Sequence, residues 1–239
     1  MLHGKSAIKP YADVWSKPTR YLCRVLLCLL TSLATAQEEE WPDFPEADLE
    51  ARIAEVSDGT LSFLAEPPES PVHHHLNRIR ILPESLHGGW VQLEQCHRHL
   101  DRVPLLEIVY HPQRIRKIRI LSARNIDQSR VIDNGVELRG IHADASLCLS
   151  AESRALQQLA PDLYRLRNGP YMRRFLDGYY PLHLSVQIDY PAHLLALQSA
   201  SPNTPQAPAY TLEPGSIRWD AWFRGRLYTE FTFSSKRRP

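Results

Sequence analysis

The segment LHLSVQIDY, residues 182–190, is the clearest guide to the fold of this chain. Apolar and polar side chains alternate along it, with Leu182, Leu184, Val186, Ile188 and Tyr190 in one set and His183, Ser185, Gln187 and Asp189 in the other. Successive side chains of a strand point to opposite faces of a sheet. One buried face and one wet face are typical of antiparallel sheets. The segment therefore predicts a strand with its apolar face in the core.

The same period of two extends through most of the chain from residue 72 onward. Asn134-Gly135 lies between two apolar segments and predicts a tight β-hairpin. The alternation slips between Ile115 and Ile118, which predicts a β-bulge. Two alternating arms, residues 217–223 and 227–233, predict a C-terminal hairpin. Many short strands at this spacing predict an all-β, antiparallel, sandwich-like domain.

The first 36 residues have the three parts of a secretory signal peptide. A basic region precedes an apolar run at residues 25–33, and a small-x-small cleavage site follows at residues 34–36. We expect cleavage after Ala36 and a periplasmic or secreted protein. The apolar run is shorter than the roughly 20 residues of a membrane-spanning helix, so no stable membrane span is expected after cleavage. Retention of the segment as an anchor is the alternative.

Three regions are expected after the signal peptide. Residues 37–71 combine an acidic tail, a short helix at 47–56 and a Pro-rich linker. The helix is indicated by apolar residues spaced by three and four. Residues 72–239 form the β-rich domain, in which residues 198–215 are expected to be a long Pro-rich loop.

The charge of the exported chain argues against a nucleic-acid partner. The first 36 residues hold 5 basic residues and 1 acidic residue, so that 23 basic and 26 acidic residues remain, a net charge of −3. Proteins dedicated to nucleic acids are normally basic.

Two cysteines, Cys96 and Cys148, remain after the signal peptide. An even number of cysteines in an oxidising compartment predicts a disulfide between them. Both residues fall opposite the apolar positions of their strands. The alternative is that Cys96 is a metal thiolate and Cys148 is a free thiol.

The histidines form two His-x-His pairs, His73 with His75 and His97 with His99. Residues two apart on a strand share a face, so that each pair could converge on a metal ion. Imidazole suits Zn and Cu. The alternative is that these histidines lie on the surface or bond to core carbonyl groups.

A segment rich in aromatic residues and arginine precedes the strand at residues 182–190. We expect a short helix over residues 171–176, starting at Pro170, whose apolar face docks on the sandwich. The candidate ligand-binding residues are Tyr171, Arg173, Arg174, Tyr179 and Tyr180. Guanidinium groups beside aromatic rings suit an anionic glycan or an envelope protein partner. The alternative is that the arginines pair with local acids such as Asp162 or Asp177.

Sequence motifs for common catalytic sites are missing. The chain has no Gly-x-Ser-x-Gly elbow, no His-Glu-x-x-His helix motif and no Gly-rich phosphate loop. We therefore assign no catalytic residue and no cofactor other than a possible Zn or Cu ion. The expected function is that of a non-catalytic exported accessory or binding protein. The alternative is a histidine-based metalloprotein, with a metal-dependent hydrolase as one form of it.

Overall fold

The chain folds into strands with very little helix. The computed structural model describes residues 59–175 and 178–236. The strands are β1 (Ser62–Phe63), β2 (His74–Arg80), β3 (Trp90–Arg98), β4 (Leu105–Val109), β5 (Ile115–Ile132), β6 (Gly135–Arg154), β7 (Leu156–Ala160), β8 (Leu163–Tyr171), β9 (Arg173–Phe175), β10 (Gly178–Tyr180), β11 (Leu182–Asp189), β12 (Leu195–Ser201), β13 (Thr211–Glu213), β14 (Ser216–Arg224) and β15 (Leu227–Ser235). A short helix, α1 (Ser85–Gly88), and a 3-10 turn (Pro112–Arg114) complete the described elements.

Two sheets form the two layers of the fold. The first has the order β1-β14-β11-β2-β3-β6-β4, with β13 added beside β14 and β5 beside β6. The second has the order β12-β15-β8-β7, and β9 and β10 form a separate two-stranded ribbon. All pairs are antiparallel except β2 with β11, which run parallel. The predicted all-β, antiparallel, sandwich-like architecture is confirmed.

The core lies between the inward faces of the two sheets. Leu147 and Leu184 of the first sheet join Phe231 and Phe233 of the second in one cluster of buried side chains. Transfer of such a side chain from water contributes about 1.5–3 kcal/mol. The alternation predicted for residues 182–190 is confirmed over β11, because its apolar positions are buried and the positions between them are partly exposed. The outer face of the first sheet is thus polar.

The predicted hairpin at Asn134-Gly135 is confirmed. β5 and β6 pair up to Ile132 and Gly135, so that two residues, Asp133 and Asn134, make the connection. The predicted bulge is also present, since the register between the two strands shifts between Arg116 and Arg119. These local signals work because turn chemistry and alternation act between neighbours in the chain.

The predicted C-terminal hairpin is wrong. Both arms are strands, but β14 pairs with β11 in the first sheet and β15 pairs with β8 and β12 in the second. The turn at Arg224-Gly225 therefore crosses between layers. Gly225 has a φ of 87°, and a Cβ there would overlap the carbonyl oxygen of Thr60. Alternation shows that each arm has a buried face, but it carries no information on which sheet the arm joins.

The loop predicted at residues 198–215 is shorter than expected. β12 continues to Ser201, and β13 adds three residues to the edge of the first sheet. The predicted signal peptide, acidic tail and helix at 47–56 lie outside the described residues. Within the described part of the chain, no helix has the length and apolar character needed to cross a membrane.

The predicted disulfide between Cys96 and Cys148 is present in the structure. The two residues lie directly opposite each other on β3 and β6, with Cα atoms 4.1 Å apart. They alternate with the core residues of both strands, as the sequence pattern indicated, so the bridge lies on the outer face of the first sheet. It leaves no thiol at Cys96 to act as a metal ligand.

Candidate metal centre

The three consecutive histidines at the start of β2 divide between the two faces of the first sheet. The ring of His74 lies on the outer face and stacks on His183 of β11. The rings of His73 and His75 lie on the inner face beside His97 of β3. Successive side chains of an extended chain point in opposite directions, which accounts for the division. Two separate groups of histidines result.

Three adjacent strands build the outer site, which we define as His74, His183 and Asp220. β11 lies between β2 and β14 in the sheet. His183 is paired across the sheet with His74 on one side, and Ser185 is paired with Asp220 on the other. Side chains of directly paired residues lie close together on the same face. The register of the three strands therefore brings the site together.

Hydrogen bonds connect the members of the outer site. Nε2 of His183 donates to Oδ1 of Asp220 at 2.7 Å, and the hydroxyl of Ser185 donates to the other carboxylate oxygen. Nε2 of His74 lies 2.8 Å from the Ser185 Oγ. One ligand atom from each member lies within 4.8 Å of the others, and no other such group of His, Cys or acidic side chains occurs in residues 59–175 and 178–236.

A stack of three aromatic rings runs through the outer site. The indole of Trp222 lies 4.1 Å from the ring of His183, and the ring of His183 lies 3.9 Å from that of His74. The rings are nearly parallel, with interplanar angles of 10° and 15°. Stacking of this kind restricts the rotation of both imidazoles and fixes the direction of their nitrogen atoms.

A cavity of about 250 Å³ opens over the outer site. Its lining includes His74, His183 and Trp222, but not Asp220, together with the Pro-rich segment of residues 67–72. His99 also lines it. The predicted linker is thus part of the wall of a site.

The outer site combines an uncharged imidazole with a carboxylate. Burial lowers the pKa of His74 to about 4, and the neighbouring His183 lowers it further while Asp220 opposes the change. Burial by itself would raise the pKa of Asp220, but hydrogen bonds from His183 and Ser185 outweigh it and the pKa is lowered. At neutral pH, His74 thus carries a free lone pair and Asp220 a negative charge. Both are the forms that bind metal ions.

The chemistry of the outer site fits a divalent transition metal. Two imidazoles and one carboxylate are a ligand set found for Zn²⁺, and imidazole also suits Cu²⁺. Ligand atoms around one zinc ion lie roughly 3.3 Å apart, given metal–ligand distances of about 2.0–2.2 Å. The ligand atoms of the three residues lie within 4.8 Å of one another, so the side chains must move closer together to hold one ion.

The inner cluster, which we define as His73, His75 and His97, contains three of the four histidines predicted to bind metal. The side-chain amide of Gln95 donates to Nε2 of His97 at 2.8 Å, and Nδ1 of His97 lies 2.9 Å from Nε2 of His73. Nε2 of His75 donates to the side-chain oxygen of Asn77 at 3.0 Å. These imidazoles act as hydrogen-bonding members of the core, but their partners are one another and side-chain amides rather than the core carbonyl groups of the alternative.

Burial keeps the inner cluster uncharged. It lowers the pKa of His73 to about 4 and of His75 to about 3, and it lowers the pKa of His97 as well. His97 is only 4% exposed. Asp101 opposes the change at His73, while Arg173 adds to it. Within the described ranges, the inner cluster does not bring three ligand atoms as close together as the outer site does.

His99, the fourth predicted ligand, does not share a face with His97. β3 ends at Arg98, and His99 adopts a left-handed backbone conformation with a φ of 50°. Its ring lines the cavity over the outer site and lies 3.4 Å from the Asp144 carboxylate. The expectation that His97 and His99 form one pair is wrong, because the strand ends between them.

The predicted helix over residues 171–176 is also wrong. Tyr171 is the last residue of β8, and residues 173–175 form β9, which pairs with β10. An isolated helix of six residues is unstable without extensive packing. Pairing of the two strands instead brings Phe175 into edge contact with Tyr180, at 5.4 Å between ring centres.

The candidate anion-binding residues are not brought together as a free surface. Tyr171 is buried, and its hydroxyl accepts a hydrogen bond from Asn77 at 2.6 Å. Tyr179 is also buried. Arg173 makes two hydrogen bonds to Asp101, one of them 3.0 Å long. The alternative predicted from the sequence is pairing of the arginines with acidic residues. Arg173 is paired in this way, but with Asp101 rather than with Asp162 or Asp177.

The two remaining residues of that set contact aromatic rings. Arg174 is exposed and lies over the ring of Tyr179, 5.5 Å from its centre. Tyr180 packs against Phe175 and lies 5.6 Å from the guanidinium of Arg173.

Sequence reasoning missed His183 and Asp220 as site residues. Both lie at polar positions of strongly alternating strands, so their position on the outer face could be predicted from the pattern. Their assembly with His74 could not be predicted, because it depends on two pairings of β11: with β14, and in parallel with β2 across more than 100 residues of the chain. No protein-family model, curated protein sequence or solved structure matches the chain.

Proposed function

We propose that this is an exported, non-catalytic β protein whose ligand is a divalent transition-metal ion, held by His74, His183 and Asp220. The observation that carries the proposal is the convergence of two imidazoles and one carboxylate, with ligand atoms within 4.8 Å of one another. Zn²⁺ and Cu²⁺ are the ions that this ligand set favours.

The surroundings of the outer site support the proposal. Each ligand lies on a strand, and strands position side chains more firmly than loops. Ser185 bonds to Asp220, and Trp222 stacks on His183. Contacts of this kind around metal ligands set their orientation and strengthen binding.

The direction of the hydrogen bonds at Ser185 supports binding rather than nucleophilic catalysis. The single hydroxyl proton of Ser185 goes to Asp220, so His74 must donate to the Ser185 oxygen. A nucleophilic serine needs the opposite arrangement, in which the hydroxyl donates to a histidine that acts as a base.

Two features support export as part of the proposal. Disulfides persist mainly in oxidising compartments, and the structure contains one between Cys96 and Cys148. The features of a signal peptide in the first 36 residues agree with this.

Calorimetric titration of tag-free protein with Zn²⁺ and with Cu²⁺ tests the proposal. We expect one equivalent of metal in the wild type and no such site in His183→Gln. The matched control is His142→Gln. His142 also pairs with an aspartate, Asp127, at 2.8 Å, but this pair is exposed, and among the described residues it belongs to no group of three potential ligands.

Two results would contradict the proposal. One is a wild type with no stoichiometric metal. The other is a His183→Gln variant that binds metal as the wild type and the control do, with all three proteins folded by near-UV circular dichroism.

A further inference from the structure

The backbone conformation of His99 determines which face of the sheet it serves. If β3 continued regularly, residue 99 would follow residue 97 onto the inner face. Instead the chain enters the left-handed region at His99, with a φ of 50°. This region is sterically unfavourable for residues other than glycine, and residues that adopt it cluster at functional sites. The turn sends the ring of His99 to the cavity over the outer site.

His99 is suited to be a ligand by its position and by its partner. Among the side chains that line the cavity, His99 and Glu69 are the potential metal ligands besides His74 and His183. Nδ1 of His99 lies 3.4 Å from Oδ1 of Asp144, which leaves Nε2 available. Histidines that bind metals commonly hold a carboxylate on their other ring nitrogen.

We propose that His99 is the fourth protein ligand of the outer site and that the site therefore favours Zn²⁺ relative to Cu²⁺ more than the general affinity order of these ions does. This inference rests on the proposed function. His99 is not among the residues whose ligand atoms lie within 4.8 Å of one another, so its exposed side chain must turn for Nε2 to reach an ion held by the other three ligands. Three imidazoles and one carboxylate complete a tetrahedral shell, which Zn²⁺ prefers and Cu²⁺ does not.

A fourth ligand also changes what the site does. Zinc sites with four protein ligands leave no open position for substrate and act as structural or binding sites. His99 lies beyond the end of β3, whereas each of the other three ligands lies on a strand of the sheet. An ion held by all four residues would link the turn at His99 to the first sheet, next to residues 67–72.

Competition titrations of tag-free full-length protein with Zn²⁺ and a chromophoric chelator test this inference. We expect His99→Gln to bind one Zn²⁺ about 100-fold more weakly than the wild type, because loss of a hydrogen-bond partner around a ligand already costs about 10–100-fold. Co²⁺ gives the second readout. The wild type should show the intense visible bands of tetrahedral Co²⁺, and His99→Gln should lose them.

The outcomes separate this inference from the proposed function. Failure of the wild type to bind metal overturns both. Wild-type affinity and an unchanged Co²⁺ spectrum in His99→Gln overturn the role of His99 and leave the three-ligand site intact. Loss of affinity in Glu69→Gln, with none in His99→Gln, shows that Glu69 is the fourth ligand and also overturns the inference. Tighter binding of Cu²⁺ than general affinity trends predict, with no tetrahedral Co²⁺ bands, overturns the selectivity.

Discussion

The two groups of histidines on opposite faces of β2 have the same side chains and different chemistry. In the inner cluster, the imidazoles bond to one another and to the amides of Gln95 and Asn77. In the outer site, the imidazoles meet a carboxylate, and both imidazoles line a cavity. No carboxylate bonds to the inner cluster, within the part of the chain that the structure describes. Neighbouring histidines of one strand therefore belong to different sites: His75 to a hydrogen-bond network in the core, and His74 to a candidate metal centre.

The difference shows that histidine content and spacing alone do not define a metal site. The inner cluster has the His-x-His spacing, yet a divalent ion buried there would be costly, because the nearby carboxylate of Asp101 is already paired with Arg173. The outer site lacks that spacing in sequence, and its ligands come from three strands. What distinguishes the outer site is the carboxylate of Asp220 and access from solvent.

The largest expected effect concerns the disulfide, which fastens the strand that carries His97 and leads to His99. Replacing both Cys96 and Cys148 with Ala should reduce the free energy of unfolding by about 4 kcal/mol, because the bridge closes a loop of about 50 residues in the unfolded chain. Urea unfolding measures this loss. An unchanged free energy of unfolding in the double variant would show that the bridge does not stabilise the sandwich.

The second prediction compares one histidine from each group. His97→Ala should cost about 3 kcal/mol in metal-free protein, because it leaves buried partners such as Gln95 without a hydrogen bond. His74→Ala, on the outer face, should cost about 1 kcal/mol or less. The metal response should be the reverse, with binding lost in His74→Ala and kept in His97→Ala. Equal stability losses in the two variants would remove the distinction between core and site.

The third prediction uses the lowered pKa values of the inner cluster. The pKa of a histidine in the unfolded chain is about 6.5, and that of His75 in the fold is about 3. Below pH 6.5 the unfolded state therefore binds more protons than the folded state, and stability falls as the pH falls. The loss between pH 7 and pH 5 should be on the order of 2 kcal/mol for each such histidine.

Chemical unfolding in the presence of a chelator, at several pH values, checks this dependence. His97→Gln removes one of these groups and should flatten the curve. A wild type whose stability does not fall between pH 7 and pH 5 would mean that the inner histidines are not buried in their neutral form.

The smallest expected effect concerns the ion pair next to the inner cluster. Arg173→Ala should cost about 1 kcal/mol, because Arg173 makes two hydrogen bonds to Asp101 and both side chains are mostly buried. Arg174→Ala is the matched control and should cost close to nothing, since the side chain of Arg174 is exposed. Thermal unfolding compares the two variants. A larger loss in Arg174→Ala would contradict the assigned contacts.

The sequence predicts those features of the fold that depend on near neighbours. The alternation in residues 182–190 correctly identifies the buried face of β11, and Asn134-Gly135 correctly identifies a hairpin. The C-terminal hairpin fails because the partners of β14 and β15 are chosen by long-range packing between two layers. The helix at residues 171–176 fails because pairing of β9 with β10 outweighs a weak local preference.

The candidate site was predictable only in part. The run of three histidines indicates that imidazoles meet near residue 74, and three of the four predicted ligands do lie together. Their assembly with Gln95 and Asn77 into a core network depends on burial, which spacing does not specify. The outer site depends on the register of three strands, so no local pattern could have joined His183 to Asp220.

Anomalous diffraction from a crystal grown with Zn²⁺ tests the central claim most directly, because it distinguishes the two faces of β2. The account predicts one strong zinc peak on the outer face, within about 2.0–2.2 Å of ligand atoms of His74, His183 and Asp220. The inner cluster should hold no metal. A zinc peak among His73, His75 and His97, or no peak at either group in crystals of folded protein, would contradict it.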